Sequence, residues 1–214
     1  MTITASSKPS DTSPAGGPEP TIDGRRARRQ RNRDAVVEAL LELFHEGNLR
    51  PSAEEIAERA GLSPRSLFRY FDDVDDLTRA AIHRHLGRLS SLFDASVDPN
   101  APLADRVSAF VENRLRLHDA SGYVGQIARM RAAYNPVLDT ELAQARTSLR
   151  NQLRRTFEPE LTALGEAQAS TVLATADALC SFEVYRLLRH DQRLTRARAS
   201  AVLTDSLTRL LSSN

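Results

Sequence analysis

The chain has 214 residues but a single lysine, a single cysteine, no tryptophan and no long apolar run. Each shortage excludes something. One cysteine, Cys180, cannot close an internal disulfide and suits a reducing compartment. No apolar stretch approaches the ~18 residues that a membrane span requires, and the N-terminus carries no apolar signal-peptide core. The expectation is a soluble cytoplasmic protein with no membrane partner. Aromatic residues make up only 5%, too few to line a large promiscuous aromatic cavity. Catalytic patterns are missing too: there is no HExxH, no GxSxG and no glycine-rich phosphate loop. His83 and His85 stand two apart, so on a helix they diverge rather than chelate one metal. No enzyme, cofactor or metal site is expected.

Of the 29 basic residues, all but Lys8 are arginine, and the formal net charge is only +1. The distribution says more than the total. Residues 25–71 hold ten arginines against seven acidic residues, whereas residues 72–214 balance at 18 each. Positive charge is thus concentrated in one short segment, as phosphate neutralisation requires.

That segment contains SAEEIAERAGLSPRSLFRYFDDVDDL, Ser52 to Leu77. Ser52, with Glu55 three residues on, is a capping box that predicts a helix from Ala53. Ile56, Ala57 and Ala60 form its narrow apolar stripe, and Gly61 supplies the positive φ that ends it. Ser63 caps the next helix and Pro64 takes its first position, where a missing N–H costs nothing. Leu67 and Phe71, spaced i and i+4, face inward and leave Arg65, Ser66 and Arg69 outward over a helix expected to run Pro64–Tyr70. This is a helix-turn-helix with its polar residues on the exposed second helix.

The same residues resemble the signature of the tetracycline-repressor (TetR) family, AxxAGxSxxTLYRYFxxKxxL. Ile56, Ala57, Ala60, Gly61, Leu62, Ser63, Ser66, Leu67, Arg69, Tyr70, Phe71 and Leu77 fall on its positions. Phe68 stands where the family usually has Tyr, and Val74 where a phosphate-binding Lys is common. The resemblance implies a DNA-binding head read through Arg65 and Ser66 at base edges, with Arg69 and Tyr70 on phosphates. Ser52, Ser63 and Phe68 complete the expected contact set. The run RRARRQRNR precedes an expected helix Asp34–Glu46, and its Arg25, Arg26, Arg28 and Arg29 form a basic arm suited to phosphates or a minor groove.

The expected organisation is a flexible Ser/Pro/Gly-rich tail (1–24), a DNA-binding domain (25–72), and a helical effector-binding and dimerisation domain (73–214). Helices are predicted over Val74–Ala95, Pro102–His118, Tyr123–Tyr134, Val137–Thr156, Glu166–His190 and Thr195–Ser212. With three in front, the fold is all-α with about nine helices. The last two carry broad apolar stripes, and by resemblance the family dimerises through this pair. A two-fold pair of recognition helices would read half-sites of a pseudo-palindromic operator about one turn apart. The resemblance also implies a cavity for a small-molecule effector among the middle helices. Its candidate polar lining is Arg114, His118, Arg129, Tyr134, Asp177, Cys180, Glu183 and Tyr185. The function expected is a homodimeric repressor released by that effector. An activator, an effector-independent regulator and a helical protein-interaction module are the alternatives.

Overall fold

The computed structural model describes residues 22–93, 97–98 and 100–212. The expected tail falls on residues 1–24, of which 1–21 lie outside the described residues. Residues 22–24 open the first helix. All regular structure among the described residues is helical: α1 (Ile22–His45), α2 (Ala53–Arg59), α3 (Pro64–Leu67), α4 (Val74–Arg88), α5 (Ser90–Phe93), α6 (Leu103–Ala132), α7 (Pro136–Thr156), α8 (Glu158–Thr162), α9 (Glu166–Leu179), α10 (Phe182–Arg186) and α11 (Arg196–Ser212). A π-helical turn, Leu187–Asp191, extends α10. The all-α class stands, but eleven α-helices replace the nine expected.

The differences have local causes. α1 starts at Ile22 rather than Asp34. No glycine or proline interrupts 25–46, arginine, glutamine and alanine favour helix, and the Gln30 amide donates to Asp34 Oδ1 at 3.0 Å. The basic run is therefore helical, not an arm. Pro102–His118 and Tyr123–Tyr134 meet end to end within α6, and the break expected at Ser121-Gly122 is present as non-helical backbone at Gly122 (φ 46°, ψ −138°). Glu166–His190 divides at Cys180, where the Ser181 hydroxyl accepts the Val184 N–H at 3.2 Å and starts α10 afresh. Val74–Ala95 breaks at Leu89 into α4 and α5, and its end lies outside the described residues.

Two hydrophobic cores result. The first packs Val36, Val37, Leu40, Leu41 and Phe44 of α1 against Ile56, Ala57, Leu67 and Phe71. It also takes Leu77, Ala81 and Ile82 from α4, Val124, Ile127 and Ala128 from α6, and Leu138 and Leu142 from α7, so packing runs across residue 72. The second joins Val107, Phe110, Val111 and Leu115 of α6 to Leu153, Phe157, Leu173, Ala176, Leu203 and Leu207. α6 thus contributes to both: its N-terminal half to the second, its C-terminal half to the first, with Gly122 between. No described helix is long and apolar enough to cross a membrane.

Candidate nucleic-acid interface

The turn between α2 and α3 is built from backbone chemistry. Ser52 and Glu55 form the reciprocal capping box: Glu55 N–H donates to Ser52 Oγ at 3.1 Å, and Ser52 N–H to Glu55 Oε2 at 2.6 Å. At the other end Leu62 N–H donates to the Ala57 carbonyl at 2.9 Å and Gly61 N–H to that of Glu58 at 3.0 Å. These are the two bonds of a Schellman motif, and Gly61, at φ 66°, supplies the left-handed residue it needs. Ser63 then caps α3, its hydroxyl accepting Ser66 N–H at 3.3 Å.

α3 is shorter than expected, four residues followed by a turn in which Tyr70 N–H donates to the Leu67 carbonyl at 2.9 Å. The sidedness is as expected. Leu67 and Phe71 are buried, Arg65 and Arg69 are exposed, Ser66 is half-buried and Phe68 is half exposed. Ser52 and Ser63 are exposed, with their oxygens already engaged as caps.

α1 is fastened to this segment at two points that the sequence did not single out. The Asn32 amide donates to Tyr70 Oη at 2.9 Å, and the Arg33 guanidinium lies over the Phe71 ring at 4.7 Å. Asn32 sits four residues before the buried Val36, which is the signal that it faces inward. Arg29 and Arg25 share its helix face, one and two turns further out, Arg28 flanks them and Arg26 stands on the side of Arg33. All four are exposed. Arg31 lies on the far side. α2 is locked to α1 by Arg59, whose Nη1 and Nη2 donate to Glu46 at 2.8 and 2.9 Å. α4 is locked to it by Arg84, which pairs with Asp34 and Glu38. The Arg84 hydrogen bond holds the Asp34 carboxyl below its usual range, and those from Arg88 and then Arg84 do the same for Glu38.

Residues 36–85 match the family model for bacterial regulatory proteins of the tetR family. This is a TetR-family helix-turn-helix domain. No curated protein sequence matches the chain. Among solved structures, a tetR-family transcriptional regulator from Streptomyces coelicolor superposes with a TM-score of 0.67 at 21% identity, covering 85% of this chain and 80% of that one. A transcriptional regulator from Rhodococcus sp. Rha1 gives 0.63 at 18% identity, covering 86% and 96%. The TetR-like fold therefore extends beyond the matched head to most of the chain.

The expected effector residues form contacting groups, His118 with Cys180 and Tyr185, and Arg129 with Glu183, while Tyr134 stands apart. Arg114 and His118 are buried on one face of α6, and His118 Nε2 donates to the Cys180 carbonyl at 2.9 Å. Tyr185 stacks on His118 at 5.4 Å and its hydroxyl donates to Asp119. Cys180 is buried, and burial pushes its thiol up to about 11, which leaves it unreactive. Arg129 pairs with Glu183 at 2.7 Å, and Asp177 with Arg150 at 3.6 Å. Tyr134 is 91% exposed beyond the end of α6, too far from cover to line an enclosed site with the others. Between α4, α6 and α7 lies a cavity of about 40 Å³ that takes in His118 and Arg129, together with His85, Ser121, Gly125, Arg146 and Leu149. His85 falls on the apolar stripe of α4, four residues after Ala81 and three after Ile82, and Arg146 stands four after Leu142, so the stripes carried a signal that the sequence reading did not use for this site. Among the described residues no group of three or more His, Cys, Asp and Glu side chains is placed to hold a metal.

Proposed function

We propose that the protein is a cytoplasmic, homodimeric, sequence-specific repressor that a small-molecule effector releases from a pseudo-palindromic operator. The observation that carries the reading is the sidedness of α3. Leu67 is spent on the core while Arg65 projects outward and Ser66 stays partly accessible, and the arginines of α1 are exposed as well. Arg65 suits guanine O6 and N7 in the major groove, and Arg69, Tyr70 and the α1 arginines suit phosphates. Tyr70 accepts from Asn32, so its own proton remains available to donate.

Dimerisation draws support from α9–α11. Most of their apolar residues are used within the chain, but Leu179, Val184, Val202 and Leu210 are only partly covered and Leu187 is 45% exposed. Effector response draws support from α6, which belongs to both cores and lines the cavity between them. A ligand that prefers the non-binding arrangement by about 5 kcal/mol would empty the operator almost completely.

The test is selection of fragments from the source genome by the purified protein at about physiological salt, where nonspecific phosphate binding is weakened. Enrichment of a palindrome with half-sites about one helical turn apart supports the reading. A folded protein that enriches no sequence overturns it.

A further inference from the structure

The cavity between α4, α6 and α7 has an unusual electrostatic make-up. Its walls are apolar, with Ile82, Leu86, Phe93, Leu117, Val124 and Leu149 prominent. Its polar residues are His85, His118, Ser121, Arg129 and Arg146, and no carboxylate lines it. His85 is 5% exposed, and its Nε2 is buried without a hydrogen-bond partner. Leaving such a nitrogen unmet costs roughly 1–3 kcal/mol, which a bound polar group would recover.

The cations nearby are under-neutralised. Glu183 takes Arg129 at 2.7 Å and leaves Arg146 at 4.0 Å, with half of the Arg146 side chain exposed. Arg114 adds to the imbalance. It is 2% exposed and donates one bond, at 3.2 Å, to the carbonyl of the cavity-lining Leu149, while Nε and Nη1 have no partner. The contrast with Arg106 is instructive. That arginine is equally buried, but it meets Glu160 and the Thr156 and Ala101 carbonyls. Burial draws the Arg114 pKa down against the weaker opposing pulls of Cys180 and Asp177, and burial does the same to Arg129 against the opposing pull of Glu183. A buried positive region with one polar wall atom unmet is complementary to an anion.

We propose that this cavity binds a small organic anion, a monocarboxylate with an apolar body, anchored by Arg146 with His85 Nε2 as the polar contact on the α4 wall. In naming the chemical class of the effector, this rests on the ligand-responsive reading above. The volume of about 40 Å³ holds a carboxylate and little more before the wall moves. A longer ligand therefore displaces Leu86, Leu117 or Leu149, and with them α4. His85 also carries the signal toward DNA, since its ring lies 5.7 Å from that of His45 in the last turn of α1.

The test uses the full-length protein with butyrate, hexanoate and benzoate, each beside its primary amide. Calorimetry and thermal shift read binding, and anisotropy of labelled operator reads release. At least one carboxylate is expected to bind and to raise the melting temperature, with its amide about tenfold weaker or more. Arg146→Ala, at a half-exposed position that leaves the core intact, is expected to weaken that carboxylate by a similar factor. The proposal is overturned if no carboxylate binds, if an amide binds as tightly as its acid, or if Arg146→Ala binds like the parent. A carboxylate that binds without changing operator affinity leaves the anion site standing and removes the effector-release reading. An amide that releases the operator as well as its acid does the reverse.

Discussion

Asn32 and Tyr70, 38 positions apart, meet through a 2.9 Å hydrogen bond that ties the basic end of α1 to the segment directly after α3. The bond sets where the α1 arginines stand relative to the residues that face base edges. Asn32→Ala removes the donor and leaves Tyr70 free. It is expected to cost roughly 0.5–1.5 kcal/mol of operator affinity with unchanged far-UV circular dichroism. An anisotropy titration that gives parental affinity would show that the tie has no part in docking.

Arg65 and Arg69 separate by role. Arg65→Ala should cost roughly 1–3 kcal/mol and relax preference at one base pair. Arg69→Ala should weaken all sequences alike and lower the salt slope by about 1. Titrations against operator and single-base variants at several salt concentrations tell these apart. Equal losses on every sequence for Arg65→Ala would remove it from base reading.

The helical state of the arginine run gives a matched pair within one segment. Arg29 shares the face of Asn32, whereas Arg31 lies on the opposite side of α1. Arg29→Ala should reduce operator affinity and lower the salt slope by about 1, while Arg31→Ala should do much less of both. Equal effects would mean that the run acts as a diffuse charge rather than as an oriented helix face.

Local signals were legible in the sequence and longer-range ones were not. Ser52 with Glu55, Gly61, and Ser63 with Pro64 each act within a few residues, so the caps and the turn of the head follow from side-chain chemistry alone. The extent of α1 does not, because an arginine run reads equally as a solvated arm or a helix until Asn32 and Arg33 find Tyr70 and Phe71. Ser121-Gly122 reads as a break between helices, and the helical backbone does break at Gly122, with the two halves of α6 meeting there without a loop. The division at Cys180 is hidden inside an unbroken apolar stripe. The cavity was least legible: His85 and Arg146 come together only through the crossing of α4 and α7, which no spacing along the chain encodes.

Gly122 makes the kink testable. With φ at 46° and ψ at −138° it occupies backbone space that other residues avoid, and a Cβ there meets nothing within 4 Å. Gly122→Ala therefore carries backbone strain without a clash. It should destabilise the protein by roughly 1–3 kcal/mol, read as a lower urea midpoint. If the strain is relieved by straightening α6, operator affinity should change as well. Unchanged stability and affinity would show that the kink is readily accommodated elsewhere.

The two buried histidines set a pH limit. Burial pulls both His85 and His118 down to about 4, with Arg88 and His45 adding to the effect at His85 and Arg114 and Arg129 at His118. Unfolding restores the ordinary value of about 6.5, so below that pH the unfolded chain binds protons that the folded chain refuses. Stability is therefore complete above about pH 6.5 and falls as pH drops toward 4, by roughly 2 kcal/mol per histidine between pH 7 and 5. The carboxylates lowered by arginine, such as Asp34 and Glu160, withdraw their stabilisation mainly below their unfolded values near 4, so the two losses separate on the pH axis. Urea unfolding of the parent and of His118→Asn, which keeps a donor near the Cys180 carbonyl, isolates one contribution. The variant should lose about half as much stability as the parent over pH 7 to 5. A parent whose stability is flat across that range would mean that neither imidazole stays neutral and enclosed.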